Sequence, residues 1–309
     1  MRVLVTCPPM LGMIDEFRPI AAQQGFELVP TTVRQVLSED ELIALLPGYD
    51  GWIIGDDPAT RRVFQAGKLG RLKAAVKWGI GVDNVDFAAC EDLGLPIINT
   101  PQMFGSEVAD VAVAYVIGLA RRLFEIDRAV REGQWLKPAG VSLAGKTVAL
   151  IGFGDIGRAA AHRLTACEMR VVAYDPGNEG DGGIAGVQRA TWPDRVDEAD
   201  FLVFTCSLNV TNRHMLNWAA LARTKPGVYV VNVARGPLID EAALALALQS
   251  GHVQAAALDV FEIEPLPADS PLRAMPRCVL GSHNGSNTRD AVRRASSEAM
   301  ERLFGFLRA

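Results

Sequence analysis

Short apolar runs alternate with amphipathic stretches along the whole chain. In the first third, residues 3–5, 28–29, 52–54, 75–78 and 96–98 read as strands. Helical spacing covers residues 14–24, 39–46, 60–66 and 87–93 between them. The strands are continuously apolar rather than alternating, which implies burial on both faces and a parallel sheet covered by helices.

A long helix is predicted over residues 106–122, with Val108, Val111, Ala112, Tyr115, Val116 and Leu119 at helical spacing. Its broad apolar face fits burial in its own domain or against a second subunit. The strand–helix alternation then restarts, with strands expected at 146–151, 171–174, 201–204, 228–231, 255–258 and 278–280. Helices are expected over 156–167, 241–249 and 288–307, the second with Asp240 as N-cap and Gly251 just past its end. For 309 residues, two successive doubly wound units are the simplest architecture.

Composition narrows the partners. Acidic residues number 36 against 31 basic ones, a net charge of −5 without charged blocks, so neither nucleic acid nor an anionic membrane is expected. The five cysteines (Cys7, Cys90, Cys167, Cys206 and Cys278) are widely spaced and lack a C-x-x-C pair, which predicts buried free thiols in a reducing compartment. No metal site is read from the sequence. Met1-Arg2-Val3 runs directly into a strand without the features of a signal peptide, and the most apolar helical stretch is too short to span a bilayer. A soluble cytoplasmic protein is expected.

One motif carries specific chemistry. Gly152-Phe153-Gly154-Asp155-Ile156-Gly157 follows a strand and opens a helix, and a second strand ends at Asp175, 23 residues after Gly152. This is the dinucleotide-binding context. Gly152 permits the turn, Gly154 admits a pyrophosphate against the backbone, and Gly157 lets helix and strand pack closely. The helix N-terminus favours phosphate. Asp175 would accept bonds from ribose hydroxyls and repel a 2′-phosphate, and no Arg or Lys follows closely, so NAD is expected rather than NADP.

Arg235, Glu264 and His283 each follow a predicted strand, on the edge where open parallel sheets bind ligands. A guanidinium can fork onto the carboxylate of a 2-oxo acid. An imidazole can exchange the proton that hydride transfer demands, and a neighbouring carboxylate can orient it. Each residue alone also has a bland reading as a turn, loop or capping residue.

With these residues, the chain resembles the D-isomer-specific 2-hydroxyacid dehydrogenases, a family that includes phosphoglycerate dehydrogenases and hydroxypyruvate reductases. The resemblance rests on Gly79-Ile80-Gly81-Val82-Asp83-Asn84-Val85-Asp86, the Gly152–Gly157 loop, Val231-Asn232-Val233-Ala234-Arg235-Gly236, Ala257-Leu258-Asp259-Val260-Phe261-Glu262 and Ser282-His283-Asn284, in that order. It implies an NAD-dependent oxidoreductase with Arg235 on the substrate carboxylate, His283 as acid/base and Glu264 as its partner. It further implies substrate contacts at Ile80 and Gly81. Cofactor contacts would come from Gly152, Gly154, Asp155, Ile156, Gly157, Asp175, Cys206, Val233, Ala234, Asp259 and His283. The implied fold is α/β, with two doubly wound parallel-sheet domains of Rossmann-like and flavodoxin-like type and the active site in the cleft between them. Residues 1–100 plus 285–309 would bind substrate, residues 101–284 would bind NAD, and a homodimer would form.

The chain departs from that pattern in two places. Phosphoglycerate dehydrogenases resemble Arg-Ser-x-Thr after the third strand, where this chain has Gly55-Asp56-Asp57-Pro58-Ala59-Thr60. Two carboxylates there would repel a phosphorylated substrate, and Arg61 and Arg62 lie at shifted positions. The second departure is Lys77-Trp78, where Trp78 reads either as a wall of the cleft or as packing under the strand. Two alternatives share the resemblance: a dinucleotide-binding corepressor, and a sister dehydrogenase acting on formate or phosphite.

Overall fold

A computed structural model of the chain describes residues 1–33, 35–177 and 182–309. The backbone divides into two compact units, Met1–Met103 with Asn287–Ala309, and Phe104–Ser286.

The first unit holds β1 (Arg2–Val5), β2 (Glu27–Pro30), β3 (Gly51–Ile54), β4 (Ala74–Lys77) and β5 (Ile97–Asn99). They form a parallel sheet in the order β2-β1-β3-β4-β5. β3 and β4 are buried throughout: β3 is an unbroken apolar run, and β4 is apolar up to Lys77, whose ammonium pairs with Asp56. The side chains of Leu4, Trp52, Ile54 and Phe64 centre one core, each buried aromatic or leucine contributing about 1.5–3 kcal/mol by leaving water. The last helix, Arg289–Arg308, returns to this unit. Its Thr288 cap accepts from Ala291 N–H at 3.1 Å, and Phe304 stacks on Phe26 at 3.9 Å between ring centroids. Gly51 leaves room for this helix, since a Cβ there would meet Leu307 at 3.0 Å.

The second unit holds β6 (Thr147–Ile151), β7 (Arg170–Tyr174), β8 (Val187–Arg189), β9 (Phe201–Phe204), β10 (Val228–Asn232), β11 (Val253–Leu258) and β12 (Cys278–Leu280). The order is β12-β11-β10-β9-β6-β7-β8, again all parallel. The long helix, Gly105–Ala120, packs against the helix Asp155–Ala166 and buries nine of its residues. Helix Glu241–Ser250 has the expected ends: Asp240 accepts from Ala243 N–H at 3.0 Å, and Gly251 takes φ of 81°. Such a cap contributes about 1 kcal/mol.

Both sheets are doubly wound. In the first, the chain leaves β1 for β2 on one side and crosses to β3 on the other. In the second it leaves β6 for β7 and β8, then crosses to β9. Each sheet therefore has one switch point, between β1 and β3 and between β6 and β9.

Four elements escape the periodicity. β8 is a three-residue edge strand with a polar centre, Gln188. Helices Pro8–Leu11 and Trp218–Leu221 are single turns. Helix Leu123–Arg131 is separated from the long helix by Arg122 in left-handed conformation, φ 55°. None offers the windows of 11 residues or so that a periodicity needs. Among the described residues, no helix is long and apolar enough to cross a membrane.

Candidate active site

The glycine turn opens at the switch point of the second sheet. Gly152 follows β6 with φ of 103°, and a Cβ there would lie 2.5 Å from the backbone nitrogen of Cys206, which follows β9. Gly157 sits under the turn, where a Cβ would fall 2.1 Å from the Gly152 carbonyl oxygen. At Gly154, by contrast, nothing lies within 4 Å of that position. The turn is thus closed toward the protein and open outward at the N-terminus of helix Asp155–Ala166, which suits a pyrophosphate. Asp155 is exposed and Ile156 half-buried.

Asp175, just past β7, ties the turn in place. Its carboxylate accepts from Phe153 N–H at 2.8 Å and Gly177 N–H at 2.9 Å. No Arg or Lys follows Asp175 closely along the chain, but strand pairing brings one near in space. Arg189, at the end of β8, donates to the Asp175 carbonyl at 2.6 Å and lies over the Phe153 ring. Fourteen residues separate the two in sequence, but β7 and β8 are neighbours in the sheet. Cys206 is half-buried beside the turn, and burial pushes its thiol up to about 12.

The residues after β10, β11 and β12 form the second cluster. Asn232, buried at the end of β10, organises the turn that carries Arg235. Its side chain accepts from Ala234 N–H at 3.0 Å and donates to the Arg235 carbonyl at 2.9 Å. Val233 and Ala234 are buried. A Cβ on Gly236 would fall 1.9 Å from the Phe261 carbonyl, so only glycine lets the Arg235 turn abut the loop that leads to Glu264.

His283 Nδ1 and Glu264 Oε2 lie 2.7 Å apart, with side chains 22% and 20% exposed. Phe261 N–H donates to the other Glu264 oxygen at 2.9 Å. His283 takes φ of 55°, a conformation that costs a non-glycine residue roughly 1–3 kcal/mol and persists only where neighbours enforce it. Asp259 is that neighbour. Its carbonyl accepts from His283 N–H at 2.6 Å, and its buried carboxylate accepts from Gly285 N–H at 2.8 Å and Asn284 N–H at 3.3 Å. The Asp259 carboxylate therefore serves the loop that presents His283. Burial and Asp259 together push the Tyr115 phenol up to about 12.

Sequence reasoning missed a further clamp. Glu262 accepts from Glu241 N–H at 3.0 Å while Glu241 accepts from Glu262 N–H at 2.6 Å, and His214 Nε2 lies 3.0 Å from Glu262. Burial raises the Glu241 carboxyl above its usual value, with Glu262 and Glu264 adding to the shift. The N-terminal position of Glu241 on its helix was legible in sequence, but its partner was not.

Ile80 and Gly81 belong to the first unit, in the segment after β4. Ile80 is exposed and Gly81 half-buried. Thr100 Oγ1 accepts from Gly79 N–H at 2.8 Å and steadies the segment. One reading of this edge needs correction, and the two alternatives for Trp78 are decided for packing. Asp57 is fully buried and turned inward: its carboxylate accepts from Leu37 N–H at 2.9 Å, from Gly55 N–H at 3.2 Å and from the Thr6 hydroxyl. Burial raises its carboxyl above the usual range. It cannot join Asp56 in facing a ligand. Trp78 is 6% exposed and donates from Nε1 to Ser296 Oγ at 3.1 Å, so it packs against the last helix rather than walling a cleft. Arg61 and Arg62 pair with Asp92 and Glu39.

A glycine turn at the switch point of a sheet that carries a carboxylate-held imidazole on the same edge is an arrangement suited to a dinucleotide-dependent oxidoreductase. The family model for the "D-isomer specific 2-hydroxyacid dehydrogenase, NAD binding domain" matches residues 113–285. The chain is 37% identical over 275 residues to a hydroxypyruvate reductase of Thermotoga maritima, covering 87% of this chain and 88% of that protein. It is 36% identical over 276 residues to D-3-phosphoglycerate dehydrogenase 3, chloroplastic, of Arabidopsis thaliana, covering 88% of this chain and 47% of that protein, about half the relative's length. Among solved structures, the NAD-dependent formate dehydrogenase from Staphylococcus aureus in complex with NAD aligns with a TM-score of 0.85 at 26% identity, covering 97% and 94% of the two chains. The chain belongs to the D-isomer specific 2-hydroxyacid dehydrogenase family. It is an NAD-dependent oxidoreductase acting on CH–OH donors, moving a hydride between cofactor and a hydroxy acid/oxo acid pair.

Proposed function

We infer that the substrate is a small unphosphorylated 2-oxo acid or its 2-hydroxy partner, with His283 exchanging the proton, Glu264 holding the imidazole and Arg235 binding the carboxylate. The observation that carries this reading is the 2.7 Å pairing of His283 Nδ1 with Glu264 Oε2 on the ligand-binding edge of a dinucleotide-binding sheet.

In the reducing direction, NADH held at the Gly152–Gly157 turn would supply the hydride that the substrate carbonyl carbon accepts. The Arg235 guanidinium forks onto the substrate carboxylate and draws charge from the adjacent carbonyl. The carbonyl oxygen becomes an alkoxide and takes a proton from His283 Nε2. Glu264 stabilises the imidazolium before that transfer and fixes the ring orientation throughout. Oxidation runs the same steps backward. Backbone N–H groups at Ile80 and Gly81 are assigned to the substrate carboxylate. Gly152, Gly154, Asp155, Ile156, Gly157, Asp175, Cys206, Val233, Ala234 and Asp259 are assigned to the cofactor side. Residues 1–100 with 285–309 then serve substrate and residues 101–284 serve NAD, in a homodimer of the cytoplasm.

The test is the loss of NADH absorbance with glyoxylate, hydroxypyruvate and phosphohydroxypyruvate side by side, with formate and phosphite tried against NAD. Turnover of an unphosphorylated 2-oxo acid is expected. Preference for phosphohydroxypyruvate would overturn the substrate reading, and oxidation of formate or phosphite alone would overturn the reaction class.

A further inference from the structure

The connections that leave β9, β10 and β11 on the ligand-binding edge meet at one carboxylate. Glu262 lies two residues before Glu264, in the segment after β11, and its side chain is 23% exposed. Its Oε1 accepts from the backbone N–H of Glu241 at 3.0 Å, at the first residue of helix Glu241–Ser250. That N–H is one of the donors that a helix start leaves without an intrahelical acceptor, and the positive end of the helix favours a carboxylate there. In return the Glu241 side chain accepts from Glu262 N–H at 2.6 Å, so residues 21 apart in the chain close a ring of two hydrogen bonds. The second oxygen of Glu262 lies 3.0 Å from His214 Nε2 and 3.6 Å from the Arg213 guanidinium, both in the connection after β9. That connection is in turn tied to the run from Arg235 into the helix. His214 N–H donates to the Pro237 carbonyl at 2.8 Å, Leu216 N–H to the Leu238 carbonyl at 3.1 Å, and Asp240 N–H to the Leu216 carbonyl at 3.1 Å.

We propose that Glu241 and Glu262 are positioning residues for the reaction: their reciprocal bonds fix the segment that carries Glu264, and with it the carboxylate that faces His283. The inference rests on the reading of Glu264 as the partner of the His283 imidazole. Glu264 Oε1 accepts from Phe261 N–H at 2.9 Å while Oε2 lies 2.7 Å from His283 Nδ1, so the direction of the carboxylate follows the backbone between Phe261 and Glu264. Ile263, in the middle of that stretch, is 65% exposed, so burial of its side chain does not hold the stretch in place. Glu262 does, through both its backbone and its side chain. Without the Glu241 carboxyl the Glu262 N–H turns to water and the segment gains freedom. A misplacement of about 1 Å away from the reacting atoms is enough to slow a reaction up to about a hundredfold. Both acids act through Glu264 rather than on substrate.

The test is a mutant cycle between Glu241 and Glu264, read as kcat at saturating NADH and hydroxypyruvate, or glyoxylate if hydroxypyruvate is not turned over. Glu241→Ala is expected to lower kcat about tenfold. Glu241→Gln keeps an acceptor for Glu262 N–H and should return kcat to within about threefold of the unaltered chain. In a Glu264→Ala background the Glu241→Ala change should alter kcat less than about twofold, because the group it positions is gone. Thermal unfolding of each chain accompanies the kinetics. If Glu241→Ala fails to fold, Glu262→Ala removes the other half of the ring and is expected to give the same fall, lost in the same background. An unchanged kcat in Glu241→Ala, an equal fall in the Glu264→Ala background, or a Glu241→Gln chain as slow as Glu241→Ala overturns the proposal while the pairing of Glu264 with His283 stands. If Glu264→Ala itself keeps the kcat of the unaltered chain, the reading of Glu264 fails first and this inference falls with it.

Discussion

The two sheets share a winding pattern but treat their switch points in opposite ways. Between β6 and β9 the turn is open: Gly154 has empty space where a side chain would be, and the helix behind it presents unpaired N–H groups. Between β1 and β3 the same crevice is plugged. Gly55 abuts the Thr6 carbonyl, where a Cβ would meet it at 2.9 Å, and the Asp57 carboxylate fills the gap by bonding to the Thr6 hydroxyl and Gly55 N–H. Trp52 Nε1 completes the plug with a 3.0 Å bond to Thr6 Oγ1. One switch point is thus left open toward solvent, while at the other polar side chains are spent on closure. What separates the cases is burial and partner, not residue type.

The comparison can be broken most decisively at His283. His283→Ala should lower kcat/KM about a thousandfold while NADH affinity, read by fluorescence titration, and thermal stability stay nearly unchanged. A large loss of NADH binding would contradict its assignment to proton transfer. The converse is expected at the plug. Thr6→Val removes the hydroxyl that Asp57 and Trp52 both use inside the protein, and should cost about 2–3 kcal/mol in denaturant unfolding. Activity of the surviving folded fraction should hold; a catalytic loss without a stability loss would mean that the crevice binds ligand after all. Asp259→Asn sharpens the contrast within the second unit, since an amide keeps the volume but offers one acceptor where the carboxylate offers two. The His283 loop should loosen and kcat fall about tenfold, read by steady-state kinetics.

The smallest effect concerns Glu241. Its carboxyl titrates higher in the folded chain than in the unfolded one, chiefly through burial. The folded state therefore binds the proton more tightly, and stability is lost as pH rises through the folded value. Glu241→Gln keeps an acceptor for Glu262 N–H and removes the ionisation. A gain of about 1 kcal/mol or less is expected at neutral pH, shrinking toward zero in acid, in thermal melts across that range. A gain that persists in acid would point to packing instead.

Much of the second unit was legible because its constraints are local. A glycine turn with a strand before it and a helix after it declares itself within some thirty residues. Continuous apolar strands specify a parallel sheet wherever they occur. Arg235, Glu264 and His283 were placed at strand ends by counting along the chain, and the direct bond between two of them followed from the parallel order of β10, β11 and β12. Arg189 beside Asp175 and the Glu241–Glu262 clamp were not legible, since each pairs residues from elements whose adjacency depends on strand order.

By itself the sequence determined which segments become buried strands, where the dinucleotide turn lies and which residue types could carry the chemistry. These follow from short-range periodicity and from the backbone freedom of glycine. Only the tertiary structure decided what each polar residue means. Asp56 and Asp57 are adjacent in sequence and chemically identical, yet one covers a lysine and the other plugs a crevice. The role of a charge depends on its solvation and its nearest partner, and both are fixed by neighbours that are distant in the chain.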